Sequence, residues 1–144
     1  MEFAMIIACP ACNGLNRLPQ DKPALDAHCG KCKQSLFRGE PLELTSINFS
    51  AHANKAGLPL VVDFWASWCG PCQSFAPVFS QAARELEPQF RFGKINTEQQ
   101  QSLAAQFSIR SIPTLMLFKQ GKVVAQQAGA LPKQVFYQWL SNYK

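Results

Sequence analysis

All six cysteines of the chain fall in Cys-x-x-Cys pairs: Cys9-Pro10-Ala11-Cys12, Cys29-Gly30-Lys31-Cys32 and Cys69-Gly70-Pro71-Cys72. Their surroundings separate them. The first two pairs lie in a polar stretch, with 16 residues between them. The third follows a nearly unbroken apolar run, residues 60–66, and opens a segment with helical patterning, residues 73–86. Thiols at the junction of a buried strand and a helix read as a redox pair, whereas two pairs at the former spacing read as one metal site.

Zinc takes four ligands in a tetrahedron, and two tight turns each present two thiolates. Gly30 suits such a turn because it tolerates positive φ, and Pro10 stiffens the other turn. Residues 13–28 carry too few apolar groups to order themselves, so a metal is the expected staple. Two disulfides or four free thiols are the alternatives. His28 is read as a surface residue beside four better ligands, Cys9, Cys12, Cys29 and Cys32. Oxidation of those four would expel the metal, so the site is structural or redox-regulatory. Lys31, Lys33 and Arg38 would offset the negative tetrathiolate; with no aromatic or basic stripe, nucleic acid is not expected as a partner.

The chain has 144 residues and is 47% hydrophobic. That allows a core of about 100 residues with a small appendage. We divide it into a zinc-binding unit, residues 1–44, and a second domain, residues 45–144. Charges cancel in the first part, so the whole excess of +5 lies in the second and is read as solvated surface. No stretch is apolar enough to span a membrane. The apolar patch in residues 1–8 has an acid but no base near it, so no secretory signal is expected and the setting is read as cytoplasmic.

Residues 42–44 alternate like a short strand, and Thr45 or Ser46 can cap a helix reaching residue 55, with His52 exposed on it. Residues 60–66 form a strand buried on both faces. Asp63 interrupts it; a carboxylate there is costly unless paired or neutral, and its place six residues before Cys69 marks it as functional. A helix over 71–86 contains Pro77, and a strand over 90–96 follows. Thr97 with Gln100 reads as the cap of a helix over 97–107. A hairpin turns at Gln120-Gly121, and a last helix starts near Pro132. The class is α/β, with a mixed central sheet and helices on both faces, preceded by a small zinc-ribbon-like domain.

At the motif level the second domain resembles the thioredoxin family. The segment Asp63-Phe64-Trp65-Ala66-Ser67-Trp68-Cys69-Gly70-Pro71-Cys72 carries its active-site signature, joined by Pro77, Ile112-Pro113-Thr114, Gly121 and Gly129-Ala130. With the first two cysteine pairs, the chain is similar to the bacterial thioredoxins that carry an N-terminal zinc-binding extension. The resemblance implies a thioredoxin fold and a protein-disulfide reductase in which Cys69 attacks and Cys72 resolves. It implies Asp63 as proton acceptor, Lys94 as the lysine that tunes it, and a cis Pro113 against the pair. Trp68, Ile112, Pro113, Gly129 and Ala130 would bind an extended substrate segment. The implied partners are thioredoxin reductase and disulfide-containing proteins, and the implied cofactor is one Zn2+, with no organic group; electron transport under oxidative stress is the expected setting. Gln73 departs from the pattern, since many thioredoxins carry a basic residue there. The competing class is a non-enzymatic zinc module for nucleic acid or protein, with a secondary redox role.

Overall fold

Two sheets organise the chain. The computed structural model describes residues 4–19 and 21–144; the first residues of the N-terminal apolar patch, 1–3, lie outside the described residues. Strands β1 (Ala4–Ala8) and β2 (Leu15–Pro19) pair antiparallel. The second sheet holds β3 (Leu42–Glu43), β4 (Leu60–Trp65), β5 (Arg91–Asn96), β6 (Thr114–Lys119) and β7 (Lys122–Ala128), in the order β3-β5-β4-β6-β7. β3, β5 and β4 run parallel, while β6 and β7 are antiparallel additions joined by a two-residue turn. Gln120 and Gly121 both adopt positive φ there, which matches the twist of the flanking strands.

Alternation along β4 divides the core. Leu60, Val62 and Phe64 pack on one face with Ile95, Met116 and Phe118, under Leu103 of α2 (Gln101–Gln106) and Ala53 of a π-helical turn (Ala51–Lys55). Val61 lies on the other face with Phe92, Leu115 and Leu117, beneath Phe75 and Phe79 of α1 (Gly70–Leu86) and Phe136 of α3 (Lys133–Ser141). Helices therefore cover both faces, as the sequence led us to expect.

Several local expectations change. Leu42 and Glu43, placed above with the N-terminal unit, pair with Gly93 and Lys94 and form an edge of the larger sheet. Thr45 Oγ1 does accept the Ile47 amide, but the helix expected behind it is short and ends in the π-helical turn. His52 is 1% exposed rather than on the surface. The helix expected over 97–107 narrows to α2, because Thr97 Oγ1 donates to Trp65 O instead of capping. Asn96 Oδ1 takes the amides of Glu98 and Gln99 in its place.

The N-terminal unit is docked by polar groups withdrawn from water. Arg91 is 4% exposed; its guanidinium donates to Ala8 O (3.0 Å), Leu36 O (2.9 Å) and Glu87 Oε2 (3.1 Å) and lies 4.6 Å from the Phe37 ring centre. Glu87 Oε1 accepts the Gly39 amide at 2.9 Å. His52 Nε2 meets Asn13 Oδ1 at 3.2 Å, and Leu58 enters the small core of Ile7, Leu36 and Phe37.

Removing the guanidinium would leave the Glu87 carboxylate buried and two carbonyls without donors. Arg91→Ala is therefore expected to lower stability by about 3–5 kcal/mol, read as a shift of the urea unfolding midpoint. Arg91→Met combined with Glu87→Leu should lose less, because no uncompensated charge remains and only the Ala8 and Leu36 carbonyls and the Gly39 amide go unpaired.

Candidate active site and metal centre

The turn between β4 and α1 sets the redox pair. The Cys69 amide donates to Ala66 O at 3.2 Å, and Cys69 then occupies the N-cap of α1 with extended backbone. Its sulfur accepts the Cys72 amide at 3.2 Å, a role usually taken by a side-chain oxygen. Pro71 sits in the first turn, where a missing N–H costs nothing. Cys69 and Cys72 form a disulfide with Cα atoms 5.3 Å apart. Both are buried, Cys72 slightly more so, and they cluster with Ala66, Trp65 and Ile112.

A second loop meets the pair. Ile112 O lies 3.7 Å from Cys69 Sγ, and the Ile112–Pro113 peptide is cis as expected. Gly129 donates its amide to Pro113 O at 2.8 Å with φ of +94°, a conformation glycine adopts without strain. The structure thus brings Ile112, Pro113 and Gly129 together beside the disulfide, and Ala130 follows at the surface. Trp68 is 70% exposed and lines a groove with Thr97, Ile109, Arg110 and Ile112, while Trp65 is largely enclosed.

Asp63 alternates with Phe64 and so faces α1 and α3, in register with Lys94 on β5 and Leu115 on β6. It is 1% exposed, and its Oδ1 has no hydrogen-bond partner among the described residues. Burial pushes its carboxyl up to about 7, against the opposing pull of Lys94. The Lys94 ammonium lies 4.6 Å from the Trp65 ring centre, on the same face, and forms no ion pair with Asp63 among the described residues.

The other four cysteines converge through two turns of one design. Cys9 N donates to Gly14 O and Asn13 N to Cys9 O; Cys29 N donates to Gln34 O and Lys33 N to Cys29 O. The positive φ falls at Asn13 and Lys33, not at Gly30 as expected, because the chain reverses after the second cysteine of each pair. The sulfurs lie within 4.8 Å of one another, with Cys9–Cys32 and Cys12–Cys29 each at 3.6 Å. Tetrahedral zinc with bonds of about 2.3 Å needs sulfur–sulfur edges of about 3.8 Å, so this donor set fits it. Backbone amides of Ala11, Gly14 and Lys31 point at Cys9, Cys12 and Cys29 sulfurs. The backbone N–H of Cys32 and the Asn16 carboxamide bring the Cys29 thiol down to about 6. His28 is exposed and bonded to Asp26 O, outside the cluster.

Asn16 is a residue the sequence reading passed over. Its Nδ2 reaches Gly14 O (3.2 Å) and Cys29 Sγ (3.5 Å), and its Oδ1 accepts the Gly30 amide (2.9 Å). One carboxamide thus ties both turns together. Nothing in its spacing signals this; only the readiness of Asn to bond backbone groups could have.

Residues 40–142 match the family described as Thioredoxin, and residues 8–34 match Thioredoxin 2, N-terminal. Thioredoxin C-3 of Corynebacterium nephridii is 45% identical over 96% of this chain and 94% of its own. A thioredoxin of Haemophilus influenzae is 40% identical over 72% of this chain and 97% of its own. Among solved structures, a mutant thioredoxin from Halobacterium salinarum superposes with a TM-score of 0.68 at 28% identity, covering 74% of this chain and 93% of that one.

Two outcomes follow from the geometry. Asn16→Ala should weaken metal binding roughly ten- to hundredfold, measured by competition with a chromogenic chelator. For Asp63, both folded and unfolded chains hold the proton below pH 4; between pH 4 and 7 only the folded chain keeps it, so rising pH favours unfolding. Wild-type stability should fall across that window by on the order of 4 kcal/mol more than that of Asp63→Asn, measured by urea unfolding at pH 4 and pH 8.

Proposed function

This chain belongs to the thioredoxin family, whose members are thiol-disulfide oxidoreductases, and on that premise we propose that it is a protein-disulfide reductase recycled by thioredoxin reductase. One observation carries the reading: Cys69, with its sulfur at the N-terminus of a 17-residue helix, is bridged to Cys72 beside the cis Ile112–Pro113 loop. Amide donation from Cys72 and the helix dipole favour a thiolate at Cys69 over a thiol. That thiolate attacks a substrate disulfide; a Cys69–substrate bond forms and one substrate sulfur leaves as thiolate. Cys72 then attacks the Cys69 sulfur, and the second substrate sulfur leaves. The Cys72 proton passes to Asp63, whose carboxyl near 7 can both take and release it; Lys94 limits how far burial raises that value. The bridged state of the pair is the product, and two electrons from NADPH through the reductase restore the dithiol.

Substrate binding falls to Trp68, Ile112, Pro113, Gly129 and Ala130. An extended segment would pair with the Ile112 backbone and rest its side chains on Trp68. The N-terminal unit holds one Zn2+ on Cys9, Cys12, Cys29 and Cys32, and we assign it first a structural role. Its own core, around Ile7, Leu36 and Phe37, is too small to stand alone. Cys12 is exposed, so an oxidant would reach the cluster there, which gives the site a redox-regulatory side as well. The basic and acidic residues of 1–44 cancel, so this unit offers no net positive field to a nucleic acid. No helix of the described residues is long and apolar enough to cross a membrane, and a cytoplasmic setting suits both the zinc thiolates and the reductase.

Insulin reduction with NADPH and thioredoxin reductase tests the reading. Wild type should turn insulin over; Cys69→Ser should be inactive, and Cys72→Ser should accumulate a substrate disulfide on Cys69, visible by non-reducing mass spectrometry. Full activity of Cys69→Ser would reject the mechanism.

A further inference from the structure

Ser67 stands two residues before Cys69, and all three of its polar groups are engaged. Its amide and its hydroxyl both donate to Glu98 Oε1, at 3.1 and 2.8 Å. Its carbonyl accepts from Gln73 Nε2 at 2.7 Å. The two partners come from different elements, Glu98 from the turn after β5 and Gln73 from the start of α1.

Glu98 is itself anchored. Its amide donates to Asn96 Oδ1 at 2.9 Å, and Asn96 is buried at the end of β5. Next to it, Thr97 gives its amide and its hydroxyl to Trp65 O, at 2.8 and 3.1 Å. The backbone from Trp65 to Ser67 is therefore pinned to the sheet, while Trp68, the next residue, stands 70% exposed with its indole forming one wall of the groove beside Ile112. An exposed indole has little packing to hold it, so the backbone beneath it decides where that wall stands. Gln73, where the sequence lacks the basic residue common in the family, turns its amide inward to this backbone instead of presenting a charge.

We propose that Glu98 and Gln73 are positioning residues: they clamp Ser67 so that Trp68 is held in place to receive a protein disulfide. The proposal rests on the reductase reading above and adds which residues set affinity for protein substrates. The clamp does not touch the sulfurs, so it acts on docking and leaves sulfur exchange alone. It also works through hydrogen bonding, not through the Glu98 charge.

Four measurements separate these statements: KM and kcat for insulin with reductase and NADPH in excess, the rate of attack on the small disulfide DTNB, and the urea midpoint as a check of folding. Glu98→Ala, which removes both hydrogen bonds that Ser67 donates, and Gln73→Met, similar in size but without the one donor, should each raise the insulin KM about three- to tenfold. Insulin kcat and the DTNB rate should stay within about twofold. Glu98→Gln keeps an acceptor oxygen without the charge and should restore the wild-type KM. An unchanged KM in folded Glu98→Ala and Gln73→Met overturns the clamp. So does a Glu98→Gln variant as impaired as Glu98→Ala, which would assign the effect to charge, or a DTNB rate that falls in step with insulin turnover. A wild-type protein that reduces neither disulfide would instead overturn the reductase reading and take this proposal with it.

Discussion

A sulfur atom fills the N-cap of α1, and the rest of the second domain can be read as what keeps it there. The Cys72 amide bonds it, so the helix starts at the reactive atom and its unpaired N–H groups lie alongside. The helix can start at that place only because β4 is buried on both faces and cannot shift along the sheet. β6 then delivers Ile112 and Pro113 to the other side of the disulfide, since Thr114 pairs with Phe64 at the end of β4. Asp63 enters by the same logic. One residue earlier or later on β4 would face the opposite layer, away from α1.

The four zinc-type cysteines follow different physics. Their turns bond mostly to themselves, and each sulfur is approached by another cysteine or a nearby amide. Their unit is nevertheless fixed to the catalytic domain, through the buried Arg91–Glu87 pair and the contact of His52 with Asn13. Burial pushes His52 down to about 4, so it meets Asn13 as a neutral ring at ordinary pH. Metal loss in one unit would therefore disturb contacts that the other has already desolvated. The two cysteine chemistries are separate in mechanism and joined in stability.

Much of this was legible in the residues. The apolar run before Cys69, the odd carboxylate in it, the hairpin turn and the last helix all carry local signals, and the structure has them where local physics puts them. What was not legible depends on partners far apart in the chain. His52 read as exposed because its own helix gave no reason to bury it; Asn13, 39 residues away, supplies that reason. Thr97 read as a cap because threonine caps helices, yet Trp65 O claimed its hydroxyl first. Arg91 lies in the strand expected over 90–96 with nothing local to mark it, and its three acceptors come from three separate segments. Gly30 drew the positive φ by residue type alone, whereas the turn geometry assigned it to Asn13 and Lys33.

The central claim is that six cysteines in identical pairs do two different jobs. A thiol titration of the fully reduced native protein, run with elemental analysis for zinc, tests it most directly. The account predicts one zinc per chain, two thiols that react at once, and four that react only when a chelator or denaturant removes the metal. Six thiols of equal reactivity with no bound metal would contradict it.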